Sequence, residues 1–287
     1  MRYLTINNEL FIENRKKFSK QLKEKSVAIF YSADQCPRNG DQYHAFRQQS
    51  DFFYLSGIDQ EKSILIIAPD HPDQSLRECL FLIKTNEKIA KWEGHKYTKQ
   101  EAESTSGIKS IFWLDEFDFY LNDILSESSN VYLNRNEYPK FFPEAEEKNH
   151  REGDRLKLKF PLHNYYRSAP ILATMRGVKS DIEKKLIEKA CDITEKGFRQ
   201  VLKTTKPAMF EFEVQAEVDY IFTKNRANGH GYAPIIASGK NACVLHYIEN
   251  NDECKDGDLL LMDFGAEYAN YTADMSRTIP VNGKFTE

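Results

Sequence analysis

Two aspartates near the end of the sequence, Asp263 and Asp274, have a spacing suited to metal binding. Asp263 follows the apolar run 259–262, which is typical of a strand buried on both faces, and Asp274 lies in a second predicted strand. A hairpin with its turn centred between Tyr268 and Ala269 would place the two carboxylates directly opposite each other, with Cβ atoms about 5 Å apart. Facing, buried carboxylates repel unless one is protonated or a cation separates them, so the pattern indicates one or two hard divalent ions. The alternative is an ordinary hairpin turn with a surface Asp.

A histidine upstream of the aspartates strengthens the metal interpretation. His246 follows a glycine-containing turn and the predicted strand 244–245. A single histidine in such a place is more often structural than catalytic. Here, however, the segment SG-x-N-x-x-x-LHY, Asp263 and Asp274 occur in order along the chain, and the three features together favour a role in catalysis.

The elements that must position these residues divide into two regions. In the first, short apolar or aromatic runs alternate with helical patterns, which predicts an α/β layer over about the first 165 residues. The predicted strands are 27–31, 52–55, 64–68, 80–83, 111–114 and 131–133, and the predicted helices are 11–24 and 115–125. Residues 135–170 are rich in charge clusters and prolines and are the predicted linker.

The second region opens with two predicted helices. Ser180 and Glu183 form a capping-box pattern ahead of a helix that ends before Pro207, and the next helix covers about 209–224. The predicted strands that follow are 235–236, 244–245, 259–264 and 271–279. This strand-rich end contains the histidine and both aspartates.

Composition limits the classes of function. The chain has 287 residues and a formal charge of −4, with 40% hydrophobic and 29% charged residues. These values are ordinary for a globular protein of about two domains. They provide no overall electrostatic field that would attract nucleic acid or anionic membranes. No apolar run is long enough to span a bilayer, and the first residues lack the apolar core of a signal peptide. The five cysteines are odd in number and irregularly spaced, which favours reduced thiols in a cytoplasmic protein over disulfides or a zinc site.

The motifs together resemble a known family. The combination LHY…GDLLLMDFGAEY…YTADMSRTIPVNGKF is similar to the first half of the pita-bread catalytic domain of Xaa-Pro aminopeptidases (aminopeptidase P). Upstream, FRQQSDFFYLSG at residues 46–57 resembles that family's creatinase-like amino-terminal domain. The resemblance implies an α/β creatinase-like domain, a mixed sheet with flanking helices, over residues 1–168. The first half of an α+β pita-bread domain would follow over residues 169–287.

The resemblance also implies a chemistry. The family uses two divalent metal ions, usually Mn²⁺, and a bridging hydroxide that attacks the peptide bond between an N-terminal residue and a following proline. Asp263 matches a ligand of one metal, Asp274 matches the carboxylate that bridges both, and His246 matches a catalytic histidine that contacts substrate. Tyr232 matches a substrate-binding tyrosine near the metals, and Trp92 matches a tryptophan of the amino-terminal domain that extends into the pocket of a neighbouring subunit. A cytoplasmic homodimer or homotetramer acting on peptides with proline second is therefore expected.

The family pattern is incomplete in this sequence. Its remaining ligands, a histidine and two glutamates, come after the second aspartate strand in the family and have no match before Glu287. We therefore expect a carboxyl-terminally truncated chain that is inactive by itself, since two carboxylates hold a dinuclear centre poorly. Two alternatives remain open. One is prolidase, which shares both domains but takes only dipeptides, and the other is a non-catalytic pita-bread binding module, which typically lacks the metal carboxylates.

Overall fold

The computed structural model describes residues 2–140 and 144–285. The chain divides into two compact units. One, termed the amino-terminal unit, is Thr5–Lys179, and the other, termed the carboxyl-terminal unit, combines Met1–Leu4 with Ser180–Glu287. The sequence-based domain limits, 1–168 and 169–287, stay a prediction.

The amino-terminal unit is an α/β layer. Its helices are α1 (Glu9–Ser19), α2 (Ser50–Ser56), α3 (Glu87–Glu93), α4 (Lys99–Ser106), α5 (Phe117–Ser126), α6 (Lys148–Lys159) and α7 (Ala169–Gly177). Its strands are β1 (Ser26–Tyr31), β2 (Pro37–Asn39), β3 (Gln42–Tyr43), β4 (Ile64–Ile67), β5 (Glu78–Leu82), β6 (Ser110–Trp113), β7 (Asn130–Leu133) and β8 (Asn164–Arg167). Six of the described strands form one sheet in the order β6-β5-β4-β1-β7-β8, while β2 and β3 form a hairpin.

Helices cover both faces of this six-stranded sheet. The sheet is mixed, because β1 runs antiparallel to β4 and parallel to β7. Side chains alternate between the faces of a strand, so Phe30 of β1 packs with Phe18 of α1 on one face. Ile29, its neighbour, packs with Ile124 of α5 and Leu156 of α6 on the other face. A mixed sheet between two helical layers confirms the predicted fold class for this part of the chain.

One predicted strand of the amino-terminal unit is wrong, because residues 52–55 lie in the helix α2. The side chain of Gln49 accepts a hydrogen bond from the N–H of Phe52 and so caps the first turn. Gly57, in the left-handed conformation, ends the helix. A short run that is apolar on every side therefore forms a buried helix, which hydrophobic periodicity alone does not distinguish from a buried strand.

The predicted linker 135–170 is also wrong in its second half. It contains α6 and β8, and β8 extends the main sheet beside β7. Leu156 of α6 is buried, while most of the neighbouring side chains are charged and face solvent. The charge clusters thus belong to the exposed face of an amphipathic helix. Residues 141–143 of the predicted linker lie outside the described residues.

The carboxyl-terminal unit contains two helices and short antiparallel sheets. Its helices are α8 (Asp181–Thr204) and α9 (Glu211–Lys224), and its strands are β9 (Gly229–His230), β10 (Ile235–Ser238), β11 (Leu259–Phe264), β12 (Ala266–Tyr268), β13 (Tyr271–Thr272) and β14 (Met275–Pro280). Strands β10, β11 and β14 form one sheet in that order, and β13, β12 and β9 form another. The predicted capping box starts α8, with the Ser180 hydroxyl accepting from the N–H of Glu183.

The strand β11, which leads to Asp263, is anchored against both helices of its unit. Met262 is fully buried, and the ring of Phe264 contacts that of Phe222 on α9, with centroids 6.1 Å apart. Directly after the strand, the N–H of Ala266 donates to the hydroxyl of Thr194 on α8 at 2.9 Å. These contacts fix the backbone position from which the carboxylate extends.

The predicted strand 244–245 is wrong. Residues 239–243 form a short 3₁₀ helix, and the residues that follow continue as an irregular exposed segment. Val244 and Leu245 are exposed, Leu245 to 90%. Apolar side chains on an open loop imitate the hydrophobic pattern of a strand without being buried.

The described residues provide neither a membrane-spanning helix nor a disulfide. None of the helices in 2–140 and 144–285 is long and apolar enough to cross a bilayer. The five cysteines are free: Cys36, Cys191 and Cys243 are exposed, whereas Cys79 and Cys254 are buried. Burial raises the pKa of the Cys79 thiol to about 12 and that of Cys254 to about 11.

Candidate metal centre

Asp263 lies on the less buried face of β11. The residues at 260, 262 and 264 are fully buried, whereas those at 259, 261 and 263 are exposed or half-buried. The prediction that this strand is buried on both faces is therefore wrong. Because the carboxylate lies at a partly solvated edge, its desolvation costs less than the sequence pattern implied.

The two aspartates share a face of the hairpin but are not directly opposite each other. The predicted strand 271–279 is interrupted at residues 273–274, so Asp274 lies directly before β14 and not within it. Asp263 pairs with Ser276, two residues after Asp274. Since side chains alternate along a strand, Asp274 is a diagonal neighbour of Asp263. The predicted direct pairing of Asp263 with Asp274 is wrong.

Turn chemistry explains the shift in register. The two residues at the turn are Ala269 and Asn270, which adopt left-handed φ angles of 53° and 64°. A two-residue hairpin turn of type I′ requires positive φ at both central positions, and Asn tolerates that conformation well. The predicted turn would have forced Tyr268 into the left-handed region instead, which is unfavourable for a bulky side chain.

Gly265 permits a close approach of the backbone beside the aspartates. A Cβ atom at this position would lie 1.7 Å from the carbonyl oxygen of Ala273 and 3.1 Å from the backbone nitrogen of Asp274. The N–H of Ala273 donates to the carbonyl of Ala266 at 3.0 Å, so the chain stays hydrogen-bonded through the crossing. The segment with Asp274 is thereby brought against the strand with Asp263.

Tyr232, in the connection between β9 and β10, links the two carboxylates. Its hydroxyl oxygen lies 2.5 Å from Oδ1 of Asp263 and 3.0 Å from Oδ1 of Asp274. A phenol has one proton, so it donates to one carboxylate at a time or shares that proton between them. Burial, together with hydrogen bonds to Asp263 and Asp274, raises the pKa of Tyr232 well above its usual value. The phenol is therefore a permanent donor at neutral pH.

Ser276 holds the second oxygen of Asp263. Its hydroxyl donates to Oδ2 at 2.8 Å, so both carboxylate oxygens are hydrogen-bonded and the plane of the carboxylate is fixed. Ser276 is not among the site residues predicted from the sequence. The alternation Asp274-x-Ser276, which puts both side chains on one strand face, is the signal that could have found it.

The remaining candidate residues lie outside this hydrogen-bonded group. His246 is exposed in a turn beyond the 3₁₀ helix, and no hydrogen bond within the described ranges joins it to Tyr232 or to either aspartate. Trp92, on α3 of the amino-terminal unit, is 85% exposed. The roles of both residues stay predictions.

The carboxylate oxygens of the two aspartates are suitable ligands for a hard divalent ion, but they provide only part of its coordination shell. Asp263 and Asp274 are adjacent carboxylates, and Asp274 is exposed to solvent, so an ion can reach it without opening the core. Across residues 2–140 and 144–285, no group of three or more His, Cys, Asp or Glu side chains is arranged to hold a metal. Further ligands are needed for the six or more contacts that such ions take.

Comparison with known families gives two matches in tandem. Residues 11–132 match the aminopeptidase P, N-terminal domain, and residues 185–287 match metallopeptidase family M24. In both regions the chain is similar to aminopeptidase P proteins. Both aspartates and Tyr232 lie within the M24 match, and the FRQQSDFFYLSG segment lies within the amino-terminal match.

Individual aminopeptidase P relatives resemble the chain over nearly its whole length. A Xaa-Pro aminopeptidase from Haemophilus influenzae is 31% identical over 281 residues, which cover 97% of this chain and 62% of that protein. Pseudomonas aeruginosa aminopeptidase PepP superposes with a TM-score of 0.87 at 29% identity, covering 98% of this chain and 64% of that one. An Escherichia coli aminopeptidase P variant in complex with substrate gives 0.85 at 27% identity, covering 99% and 64%. The chain thus spans less than two thirds of each.

Proposed function

We propose that this chain contributes to a metal-dependent aminopeptidase that hydrolyses the peptide bond between an N-terminal residue and a following proline. The observation that carries the proposal is the convergence of Asp263 and Asp274 on the Tyr232 hydroxyl, at 2.5 and 3.0 Å. Family M24 metallopeptidases use divalent metal ions, and a relative of this chain binds substrate in its solved structure. When bound, a pair of divalent ions, Mn²⁺ by preference, would lower the pKa of the attacking water and offset charge on the tetrahedral centre.

We assign proposed roles to four side chains of the carboxyl-terminal unit. Asp263, held by Ser276 and Tyr232, would ligate one ion, and the exposed Asp274 would ligate both. Tyr232 retains its proton and orients the carboxylates. His246, exposed in its turn, would contact the peptide and stabilise the reaction centre.

Assembly and location form a second part of the proposal. Trp92 is 85% exposed on α3, and a large aromatic side chain in that position favours contact with another subunit. We propose that it completes the substrate pocket of a neighbouring copy in a homodimer or homotetramer. The reduced, free cysteines suit a cytoplasmic protein.

Two alternatives have distinct experimental signatures. A prolidase would cleave Xaa-Pro dipeptides but no tripeptide with proline second. A non-catalytic binding module has no use for paired carboxylates, so the geometry around Tyr232 favours an enzyme over this alternative.

The proposal is tested by hydrolysis of a tripeptide with proline second, using the native gene product with Mn²⁺. We expect metal-dependent release of the N-terminal residue, which Asp263→Asn abolishes and Asp256→Asn retains. Asp256 is an exposed carboxylate of the same unit that accepts from Asn282 and provides the matched control. Equal hydrolysis by the wild-type protein and Asp263→Asn would contradict the proposal. Cleavage confined to dipeptides would indicate prolidase.

The chain of 287 residues is expected to show no full turnover by itself. Its described residues supply two neighbouring carboxylates without a third His, Cys, Asp or Glu grouped with them, which leaves the coordination and charge of a dinuclear centre incomplete. Full Mn²⁺-dependent turnover by this polypeptide in the same tripeptide assay would refute that expectation.

A further inference from the structure

A buried carboxylate outside the candidate metal centre organises the segment that contains His246. Glu211, the first residue of α9, has no solvent exposure. Its Oε1 accepts from the N–H of Ser238 at 2.7 Å and from the side-chain amide of Asn241 at 3.2 Å. Its Oε2 accepts from the hydroxyl of Tyr247 at 2.6 Å and from the N–H of Asp252 at 2.9 Å.

The four donors come from both ends and from the middle of one segment. Ser238 and Asp252 bound residues 238–252, and Tyr247 lies within them, directly after His246. A second buried side chain, that of Asn250, accepts from the N–H of Ile236 at 2.9 Å and donates to the carbonyl of Pro234 at 2.9 Å. The ring of Tyr247 also packs with Ile235 and Ala237, whereas residues 243–246 are exposed.

We propose that Glu211 is a positioning residue that fixes residues 238–252 and thereby the placement of His246. The inference rests on the proposed function, in which His246 contacts the peptide. Because all four partners are donors, the site requires an acceptor with two oxygens. The NH₂ group of a glutamine would face two donors in place of one of the carboxylate oxygens. One of these donors is a backbone N–H, which cannot accept a hydrogen bond and would be left unpaired.

The first test uses NMR of the histidine rings in this chain without metal or peptide. The Cε1–Hε1 signal of His246 is assigned by its loss in His246→Gln. In Glu211→Gln we expect that signal to sharpen and to move towards the random-coil position, while the signal of the part-buried His230, which pairs with Asp219, stays in place. Amide exchange over residues 239–251 should rise about tenfold or more, because a buried donor is left unpaired.

A matched variant separates positioning from general loss of stability. Val218 is fully buried on the same helix, and its side chain has no group that could hydrogen-bond to Glu211 or its partners. Val218→Ala therefore lowers stability without removing an acceptor. We expect it to leave the His246 signal unchanged. The proposal is overturned if Glu211→Gln leaves the signal and the exchange of 239–251 unchanged, or if Val218→Ala changes them equally.

Milder substitution keeps the test decisive if Glu211→Gln does not fold. Tyr247→Phe removes one of the four donors and keeps the carboxylate, and it should move the His246 signal in the same direction by a smaller amount. An unchanged signal in folded Tyr247→Phe overturns the proposal.

Peptide hydrolysis then tests the link to function. In the native gene product, Glu211→Gln combined with His246→Gln should lose no more activity than His246→Gln alone, because both act through one side chain. Additive losses overturn the link between Glu211 and His246. If His246→Gln retains full activity, the assignment of His246 in the proposed function fails, while the NMR result on positioning is unaffected.

Discussion

Two hydroxyl groups, those of Tyr232 and Ser276, provide the donors that compensate the neighbouring carboxylates of Asp263 and Asp274. The Tyr232 hydroxyl lies 2.5 and 3.0 Å from the two carboxylates, which share its one proton, and the Ser276 hydroxyl donates to Asp263 at 2.8 Å. Neither hydroxyl carries a charge, so the negative charge of the pair is only stabilised and not neutralised. A divalent ion is the species that would neutralise it, which is why the geometry favours a metal site over a structural hairpin.

At Ser276, substitution by alanine removes the donor that fixes Oδ2 of Asp263 but leaves both carboxylates in place. We expect Ser276→Ala to weaken Mn²⁺ binding about tenfold, as is typical when a partner that orients a ligand is lost. Mn²⁺ titration measures the affinity. Thr278→Ala, at an exposed position of the same strand, should bind Mn²⁺ as the wild-type chain does. Equal affinities for the two variants would show that the serine does not orient the ligand.

The pKa of Tyr247 leads to a prediction on stability at high pH. Burial and the hydrogen bond to Glu211 raise this pKa from 10.0 to about 12 in the folded chain. The stabilisation is therefore fully present below pH 10 and is lost as the pH rises from 10 towards 12. The stability advantage of the wild-type chain over Tyr247→Phe, measured by urea unfolding, should narrow across that interval. A constant difference would mean that this tyrosine ionises equally in both states.

At the scale of elements, regular features are predictable from the sequence and their register is not. The capping box at Ser180 and the apolar periodicity of α8 and α9 are local signals, and the structure contains both helices. The register of the β11–β14 hairpin depends on which two residues adopt left-handed φ, a choice that hydrophobic patterning does not encode. Both aspartates are therefore identifiable from the sequence, but the predicted register pairs Asp263 with Asp274, whereas in the structure it pairs with Ser276.

Irregular and buried polar features are the least predictable. Residues 244–245 are apolar and exposed, so their pattern imitates a strand. Glu211 begins a helix, where an acidic residue is usually a solvated partner of the helix dipole, yet it is fully buried among four donors. These donors come from positions 27 to 41 residues away, and only tertiary structure reveals them.

The hairpin crossing at Gly265 gives a test at the element scale. A methyl group there would lie 1.7 Å from the carbonyl oxygen of Ala273, so one of the two backbone segments must move. We expect Gly265→Ala to lower the free energy of unfolding of the carboxyl-terminal unit by more than about 2 kcal/mol and to weaken Mn²⁺ binding. Amide exchange over residues 266–280 and Mn²⁺ titration report the two effects.

The control for this substitution is Gly177→Ala, at the end of α7, where an added Cβ meets nothing within 4 Å. Its effect on stability should stay within about 0.5 kcal/mol. Unchanged exchange over residues 266–280 in Gly265→Ala would show that the hairpin does not require a glycine at the crossing.

At the scale of the whole molecule, the candidate metal ligands lie in one of the two units. The amino-terminal unit buries both faces of a mixed sheet, and the carboxyl-terminal unit contains Asp263, Asp274, Tyr232 and His246. Length predicted two domains, but the net charge of −4 and the ordinary composition gave no indication of chemistry. The functional interpretation depends on a few polar side chains within the family M24 match and not on bulk properties.

The most direct test of Asp263 and Asp274 as metal ligands is a titration of this chain with Mn²⁺, monitored by electron paramagnetic resonance. The wild-type chain and Asp256→Asn should bind Mn²⁺ with the same Kd, since Asp256 lies outside the hydrogen-bonded group. Asp263→Asn and Asp274→Asn should each weaken binding about tenfold or more, because each removes a charged oxygen ligand. The same Kd for all four proteins would contradict the assignment of Asp263 and Asp274 as metal ligands.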